Sequence, residues 1–325
     1  MESKRPPTWQ LLLAFAIIYF VWGSTFLAIR VGVREVPPLL LAGLRFLIAG
    51  VILYAWMRLK GTPSPTARQW AGASSLALLI FVFDYGSLFW AEQRVPSGIA
   101  AVMLAMIPVF MALGEIIVLR TQRLTWRLGI ALLVGMAGVA VLVGRFTNSS
   151  TGAVDPLGAA ALLLAGLTWS IAASLTRKVP LPESKVMSSG AQMLAGGILL
   201  MIAAALFGEF RGFHAQSVSR AAWLALAYLI VAGSIAGFTA YVWLLHHESP
   251  TKVGTYAYVN PVVAVLVGYF LGGESIGPRT IVGTLLVLVS VVVITTTPKP
   301  SQTGSQTDHV VRRTVELGSA PSADN

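Results

Sequence analysis

The sequence predicts an all-α polytopic membrane protein in which ten transmembrane helices form two inverted five-helix repeats. Its 325 residues are 56% hydrophobic and only 11% charged, whereas about 25% of residues are charged in a typical soluble protein. The apolar residues fall in runs of roughly 17 to 25, the length at which a helix crosses a bilayer. Trp90 and Pro108 recur 153 residues later as Trp243 and Pro261. This recurrence indicates two copies of one unit.

Ten apolar runs mark the predicted membrane spans, and short polar breaks separate them. We place the spans at residues 9–30, 37–57, 70–91, 97–119, 127–144, 156–176, 187–207, 221–245, 252–273 and 279–296. Residues 9–146 then form the first repeat and 156–297 the second, with Thr147–Asp155 as the seam. Residues 298–325 are rich in Ser, Thr, Pro and charge, so we expect a disordered cytoplasmic tail.

The basic residues between the spans predict the orientation. Counted on alternate sides, 15 Lys and Arg residues lie on the side of the two termini and seven on the other. Because basic loops stay in the cytoplasm, both termini are predicted to be cytoplasmic. Five spans per repeat is an odd number, so the second repeat is predicted to be inverted relative to the first. Inverted repeats are an architecture of transporters that alternate access to a central site.

Prolines in the fourth and ninth spans predict helix kinks at Pro108 and Pro261. A proline removes one backbone hydrogen bond, and a bilayer offers no water to replace it. We therefore expect both helices to pack on protein or to line a wet cavity. Tyr256 and Asn260 lie four residues apart, on one helix face, just before the second proline. This pair is predicted to bind substrate, with simple core packing as the alternative.

Only three ionisable residues lie well inside the predicted spans: Arg45, Asp84 and Glu115. Charges at membrane depth are costly and mark functional sites by default. Arg45 and Asp84 lie at similar depth on neighbouring antiparallel spans, so we expect an ion pair, either a structural lock or part of coupling or substrate binding. Glu115 lies near the cytoplasmic end of its span, where it snorkels or pairs with Arg120 or Arg123, with proton coupling as the alternative.

Two of the tryptophans are candidates for lining a substrate cavity. Trp22 and Trp169 lie deep in the first span of each repeat. Trp90 and Trp243 lie near span ends, where aromatic residues usually anchor helices at the membrane interface. We therefore predict that Trp22 and Trp169, together with the Tyr256–Asn260 face, bind substrate.

A set of short motifs carries a resemblance to a known family. They are Trp22-Gly23-Ser24-Thr25-Phe26 with its counterpart Trp169-Ser170, Arg45-Phe46 after Pro37-Pro38, the two mid-helix prolines, Gly272-Gly273-Glu274, and the glycines Gly129, Gly135 and Gly283. In order, spacing and duplication this set resembles the EamA family of the drug/metabolite transporter superfamily, from residue 9 to 297. One position departs: Thr121 stands where the second half has Glu274.

The resemblance implies a ten-helix exporter of small metabolites, amino acids or toxic compounds in the bacterial inner membrane. Its partners would be a small-molecule substrate and the lipid bilayer, while proton coupling and a homodimer stay open. The rival within transport is an obligate exchanger of anionic, sugar-phosphate-like substrates. That function should require several buried cations, and only Arg45 qualifies. A membrane scaffold or enzyme is the alternative outside transport.

Several other classes of function lack their motifs. The chain has no cysteine and only four histidines. Because His246 and His247 are adjacent at a helix end and His214 and His309 are isolated, we expect no metal site. It has no GxxxxGK[ST] phosphate loop and no G-x-S-x-G nucleophile elbow, so we expect neither a cofactor nor an enzyme. The net charge is +10, but the basic residues lie between the apolar runs, where they determine the orientation in the membrane. We therefore do not expect nucleic-acid binding. The driving force is then predicted to be a proton or solute gradient.

Overall fold

The computed structural model describes residues 6–118, 124–143, 154–176, 178–248 and 250–296. Within these ranges every regular element is a helix, which confirms the predicted all-helical fold. Eight helices are long and apolar enough to cross a membrane, and two shorter apolar helices complete the set of ten. Most of the seam at 147–155 and the whole tail at 298–325 lie outside the described residues.

The ten helices follow the predicted spans in order. They are α1 Thr8–Val33, α2 Pro38–Leu59, α3 Ala67–Ala91, α4 Ser97–Leu113, α5 Trp126–Val143, α6 Pro156–Leu175, α7 Lys185–Leu206, α8 Arg220–Leu244, α9 Tyr256–Phe270 and α10 Pro278–Thr296. A 3₁₀ turn, Ala215–Ser217, and a short helix, Pro250–Val253, lie in the connections. Because successive spans alternate in direction, we call the end of the bundle that holds Thr8 the proximal face and the opposite end the distal face.

Several helices contain wide π-helical turns, in which the backbone hydrogen bonds reach one residue further than in an α-helix. They cover Ile17–Val21 in α1, Leu78–Tyr85 in α3 and Leu229–Ala236 in α8, and Gly114–Val118 directly after α4. The turns in α3 and α8 both have eight residues and lie in the third span of each repeat. Such turns are frequent at functional sites.

Both proline-containing spans are interrupted, at different distances from the proline. In α4 the helix breaks between Ser97–Leu104 and Ile107–Leu113, so that Pro108 lies in the first turn of the second piece. In the ninth span the interruption lies between Val253 and Tyr256, and Pro261 is inside the continuous helix α9. The break next to Pro108 is thus observed, whereas a bend at Pro261 stays a prediction.

Glycines bring α2 and α7 into backbone contact. A Cβ atom added at Gly50 would lie 2.4 Å from the backbone nitrogen of Leu194, and one at Gly197 would lie 2.4 Å from the backbone nitrogen of Leu47. The contacting residues of α7 descend in number as those of α2 rise, so the two helices are antiparallel. The four glycines of this contact are Gly43 and Gly50 in α2, and Gly190 and Gly197 in α7, each 147 residues after its counterpart.

Helix contacts between the repeats occur in exchanged pairs. The first helix of each repeat packs against the fourth of the other, α1 on α9 and α6 on α4. The third helix of each packs against the first and second of the other, while α2 packs on α7 and α5 on α10. Exchanging the two repeats leaves this pattern unchanged, as a pseudo-two-fold axis would.

Candidate functional site

Arg45 lies where helices of both repeats meet. Its side chain is only 3% exposed, and its Nε donates a hydrogen bond of 3.0 Å to the Ser234 hydroxyl in the wide turn of α8. The guanidinium also lies 5.4 Å from the ring centre of Tyr85 and 6.0 Å from that of Phe89, both in α3. Aromatic ring faces attract a desolvated cation, so α3 and α8 hold this charge between them.

The structure does not bring Arg45 and Asp84 together. Among the described residues no ion pair joins them, although Asp84 is also 3% exposed. Tyr85, the residue next to Asp84 in the helix, faces the guanidinium instead. Arg45 Nη1 makes no hydrogen bond within the described part of the chain. A role for either residue in coupling stays a prediction.

The Glu115 side chain lies outside the described residues, although its backbone belongs to the wide turn Gly114–Val118 after α4. Its predicted partners, Arg120 and Arg123, are also outside them. The snorkelling and proton-coupling readings of Glu115 therefore both stay predictions.

Trp22 of α1 contacts residues of both α8 and α9. Its Nε1 donates a 3.0 Å hydrogen bond to the Gly233 carbonyl oxygen of α8. The indole centre lies 5.2 Å from that of Tyr256 in an edge-to-face arrangement and 5.4 Å from that of Tyr241. The counterpart Trp169 lies edge to face with Tyr85, with centroids 6.4 Å apart. Both tryptophans are half-buried, and their lining of a substrate cavity stays a prediction.

Gly233 and Gly237 let α8 lie close to Arg45 of α2 and to Trp22 of α1. A Cβ atom at Gly233 would lie 3.2 Å from Arg45 Nη2 and 2.9 Å from Thr25 Cγ2. One helical turn on, a Cβ at Gly237 would lie 2.4 Å from the Trp22 indole nitrogen. The absence of side chains at these two positions lets α8 approach both α1 and α2. We call Trp22, Arg45, Tyr85 and the Gly233–Ser234 segment the central cluster.

Asn260 fastens α9 to the wide turn of α1. With its nitrogen placed toward the backbone oxygens around it, the side-chain amide donates to Tyr19 at 3.1 Å, Ile18 at 3.2 Å and Tyr256 at 3.3 Å. The residue is 9% exposed. Buried carbonyl groups need hydrogen-bond partners, and the Asn260 amide provides one for these backbone oxygens, which is a structural role. Its predicted substrate contact stays a prediction.

A second group of polar side chains ties the repeats together at the distal face. Arg30 Nε lies 3.3 Å from Glu274 Oε1, and Arg30 Nη1 donates to the Glu92 carbonyl at 2.9 Å. The Glu274 carboxylate also accepts from the backbone N–H groups of Ser97 at 2.7 Å and Gly98 at 3.1 Å. It thereby caps the start of α4, where the helix dipole favours a negative charge. We call Arg30, Glu92, Glu274 and this start of α4 the distal latch.

Two further carboxylates cap helix starts of the other repeat at the same face. Glu35 accepts from the Ser219 N–H at 2.6 Å and its hydroxyl at 2.7 Å, before α8. These hydrogen bonds hold the pKa of Glu35 below its usual value. Glu209 accepts from the N–H groups of Leu40 at 2.8 Å and Leu39 at 3.3 Å in α2, but burial outweighs them and raises its pKa.

The described helix starts at the proximal face are capped differently. The side chains of Thr66 and Ser184 cap their own helices, α3 and α7. The Gln69 amide crosses between the repeats there, to the Leu181 carbonyl at 3.4 Å. Within the described ranges, carboxylate caps between the repeats are therefore confined to the distal face.

An apolar groove of about 540 Å³ opens on the proximal half of the bundle, between α1, α2 and α8. Its lining includes Trp9, Leu13, Ile17, Trp56, Ala236 and Trp243. None of these lining residues is charged.

The sequence reasoning missed the distal latch. Glu274 stood out only as the end of a glycine motif, Arg30 only as the end of the first predicted span, and Glu92 was not singled out. Nothing in a single sequence joins residues 244 positions apart, such as Arg30 and Glu274. A pairwise signal from related sequences would be needed to find such a contact.

Fold and site together define a class, the polytopic helical membrane transporter built from two repeats. The chain belongs to the EamA-like transporter family, whose model matches twice, at residues 8–144 and 156–296. This double match confirms the predicted family and the predicted division into two repeats. The matched limits lie within two residues of those predicted for the two repeats.

Relatives and solved structures agree with this membership. The chain is 37% identical over 284 residues to the uncharacterized inner membrane transporter YedA of Escherichia coli K12, covering 87% of this chain and 89% of the relative. It is 25% identical over 299 residues to an uncharacterized transporter of Archaeoglobus fulgidus, covering 91% and 98%. One crystal structure of a protein superposes on this chain with a TM-score of 0.58 at 21% sequence identity, covering 89% of this chain and 96% of the other. That last likeness concerns the fold alone.

Proposed function

We propose that this protein is a secondary active transporter that exports small organic solutes from the cytoplasm by alternating access between its two repeats. Small metabolites, amino acids or toxic compounds are the solute classes. One observation carries the proposal: Arg45 is buried at the meeting point of α2, α3 and α8, and no carboxylate of the described residues lies within ion-pair distance of it. A charge at this depth costs several kcal/mol, and such charges mark substrate and ion pathways.

The contacts around Arg45 suit a site that opens to one side at a time. Its partners come from both repeats, so a relative motion of the repeats changes its surroundings. The exchanged helix pairs supply the symmetry on which rocking motions of inverted repeats depend. The predicted excess of basic residues near the termini makes the proximal face cytoplasmic and the distal face external. The distal latch then closes the bundle toward the outside.

Localisation and energy source follow from the same proposal. YedA is described as an inner membrane transporter, and we assign this chain to the bacterial inner membrane with both termini in the cytoplasm. Because the sequence contains no phosphate-loop motif for nucleotide hydrolysis, an ion or solute gradient supplies the energy. The protein then acts without a catalytic step.

The test is a growth and accumulation screen. The chain is expressed in a bacterial host that lacks its own EamA exporters, and the cells are challenged with amino acids, toxic analogues and a panel of small drugs. We expect better growth and a lower internal concentration for at least one compound, reversed when the proton gradient is collapsed. Equal growth and equal accumulation for every compound, in cells that carry folded protein in the membrane, would contradict the proposal.

Exchange of anionic solutes is the second candidate, because Arg45 Nη1 lacks a hydrogen-bond partner in the described part of the chain. A guanidinium with a free N–H suits a carboxylate or phosphate. The two candidates differ in one assay. An exchanger releases preloaded solute from vesicles only when solute is present outside, whereas a gradient-driven exporter releases it without external solute.

Trp22→Phe is expected to weaken apparent affinity for the transported compound about fivefold, the equivalent of one hydrogen bond of about 1 kcal/mol. The phenyl ring keeps packing against Tyr256 but loses the hydrogen bond to Gly233, the residue that lies beside Arg45 Nη2. The concentration dependence of transport measures this effect. The control is Trp223→Phe, at a position that is 38% exposed. Equal affinity in wild type and Trp22→Phe would remove Trp22 from the binding site.

A further inference from the structure

Glu92 is a buried carboxylate without hydrogen-bond partners inside the distal latch. It directly follows the last residue of α3, and it is 1% exposed. Within the described ranges neither of its side-chain oxygens has a partner, although its backbone carbonyl is held by Arg30. An ionised carboxylate in such a place is costly, because burial disfavours the charged form.

The charges around Glu92 compete with one another. The charged groups that face it or lie beside it are Arg30 of α1, Arg45 of α2, Glu274 after α9, and the Arg94–Asp155 pair at the start of α6. Glu274 Oε1 lies 3.3 Å from Arg30 Nε and the same guanidinium attracts Glu92, so two carboxylates share one nearby guanidinium. With both acids ionised, Arg30, Glu92 and Glu274 carry a net charge of −1. With one proton bound, they are neutral.

We propose that Glu92 is a proton-binding site whose protonation closes the distal face. The proton comes from hydronium at that face, which leaves as water, and it converts the carboxylate to a neutral acid. Arg30 then pairs with Glu274 alone, and Glu274 holds the start of α4. Loss of the proton restores the second carboxylate, which repels Glu274 and loosens the latch. The proton thereby becomes the ion that acts on the transport cycle, a step that rests on the proposed function.

The direction of the pH effect follows from burial. Burial raises the pKa of Glu92 well above 4.5, Arg30 opposes the shift and Glu274 adds to it. In an open state the same carboxyl is hydrated and has its ordinary pKa. The closed state therefore binds the proton more tightly, and its advantage is complete below about pH 4.5. That advantage is lost as the pH rises through the raised pKa.

Labelling of an introduced cysteine measures whether the distal latch is open, and it requires no known substrate. The native chain has no cysteine, so only the introduced one is labelled. Thr25 is 7% exposed and lies five residues before Arg30 in α1, about 7.5 Å deeper. Thr25→Cys is treated in intact cells with a membrane-impermeant maleimide between pH 5 and 8. Labelling is divided by that of Gln216→Cys, at an exposed position of the distal connection, which corrects for thiol reactivity. We expect the ratio to rise with pH, by at most about tenfold per unit for one proton.

Variants then assign the proton to its residue. Glu92→Gln is neutral at every pH, so the ratio should stay low throughout. Glu183→Gln, at an exposed position before α7, is the matched control and should keep the wild-type pH dependence. Glu274→Gln removes the competing charge and keeps an oxygen for the Ser97 N–H. It should shift the midpoint of the labelling curve to lower pH.

Two results would overturn the proton site. One is a wild-type labelling curve in Glu92→Gln. The other, decisive where that variant does not reach the membrane, is an unchanged midpoint in Glu274→Gln. A Gln216→Cys protein that is unlabelled in intact cells would instead overturn the orientation given under the proposed function. The same comparison is then made in everted vesicles, and its outcome decides on Glu92.

Discussion

Replacing Arg45 with Met is expected to lower transport about 30-fold or more, while the protein folds normally. The loss corresponds to about 2 kcal/mol, a typical contribution of a hydrogen bond to a charged group. Methionine retains most of the volume against Tyr85 and Phe89. Replacement of a buried charge by an apolar side chain of similar volume is often neutral or stabilising, and no close ion pair of Arg45 is broken among the described residues, so the unfolding midpoint in detergent should stay level or rise. Initial transport rates, normalised to folded protein, measure the effect.

The matched control for that substitution is Arg58→Met, in the same helix. Arg58 is exposed at the proximal end of α2, where it donates to the nearby Thr62 carbonyl at 2.7 Å. This variant should transport at the wild-type rate. Full activity in Arg45→Met would show that the buried charge serves the structure alone, and the observation on which the proposed function depends would then be lost.

Gly50→Ala is expected to destabilise the protein by about 3 kcal/mol, the upper part of the range for overpacking a tight contact. The added Cβ would lie 2.4 Å from the Leu194 backbone nitrogen and 2.7 Å from its Cα, so the α2 and α7 backbones must separate. Gly197→Ala should cost a similar amount, because its Cβ would meet Leu47 at 2.4 Å and 2.5 Å. Unfolding by denaturant in detergent measures both.

Gly129→Ala is the control for these glycine substitutions. Its Cβ would have a nearest neighbour at 3.9 Å, and alanine favours a helix by about 1 kcal/mol relative to glycine. We expect equal or slightly higher stability. Wild-type stability in Gly50→Ala and Gly197→Ala would contradict the close antiparallel contact that joins the repeats.

Most of the fold could be predicted from the chain alone, because hydropathy, length and proline position act within each span. The ten helices lie where the apolar runs predicted them, and the family model matches in both halves. The packing of one repeat against the other could not be predicted from the sequence in the same way. The glycines at positions 43, 50, 190 and 197 carry a constant offset of 147, but their contact depends on how two distant helices pack.

The site was less predictable, because side-chain direction depends on local helix geometry. Arg45 and Asp84 lie at similar depth in sequence, yet the wide turns in α3 and α8 present Tyr85 and Ser234 to the guanidinium instead. The Asn260 amide, predicted to face a cavity, satisfies backbone carbonyls of α1. Wide turns leave no clear mark in sequence periodicity, so these contacts required three-dimensional information.

The central cluster and the distal latch would have different roles in transport. Under the proposed function, Arg45 and its aromatic neighbours would bind a polar or anionic group of the solute. The carboxylate caps at the distal face hold the helices of one repeat to those of the other. A transport cycle would then alternate between breaking these caps and restoring them.

The most direct test of transport is the internal concentration of a solute found in the growth screen, measured over time in loaded cells. Cells that carry the wild-type protein should lose the solute faster than cells that carry Arg45→Met, and collapse of the proton gradient should abolish the difference. Equal rates of loss with equal amounts of folded protein would contradict export through the central cluster.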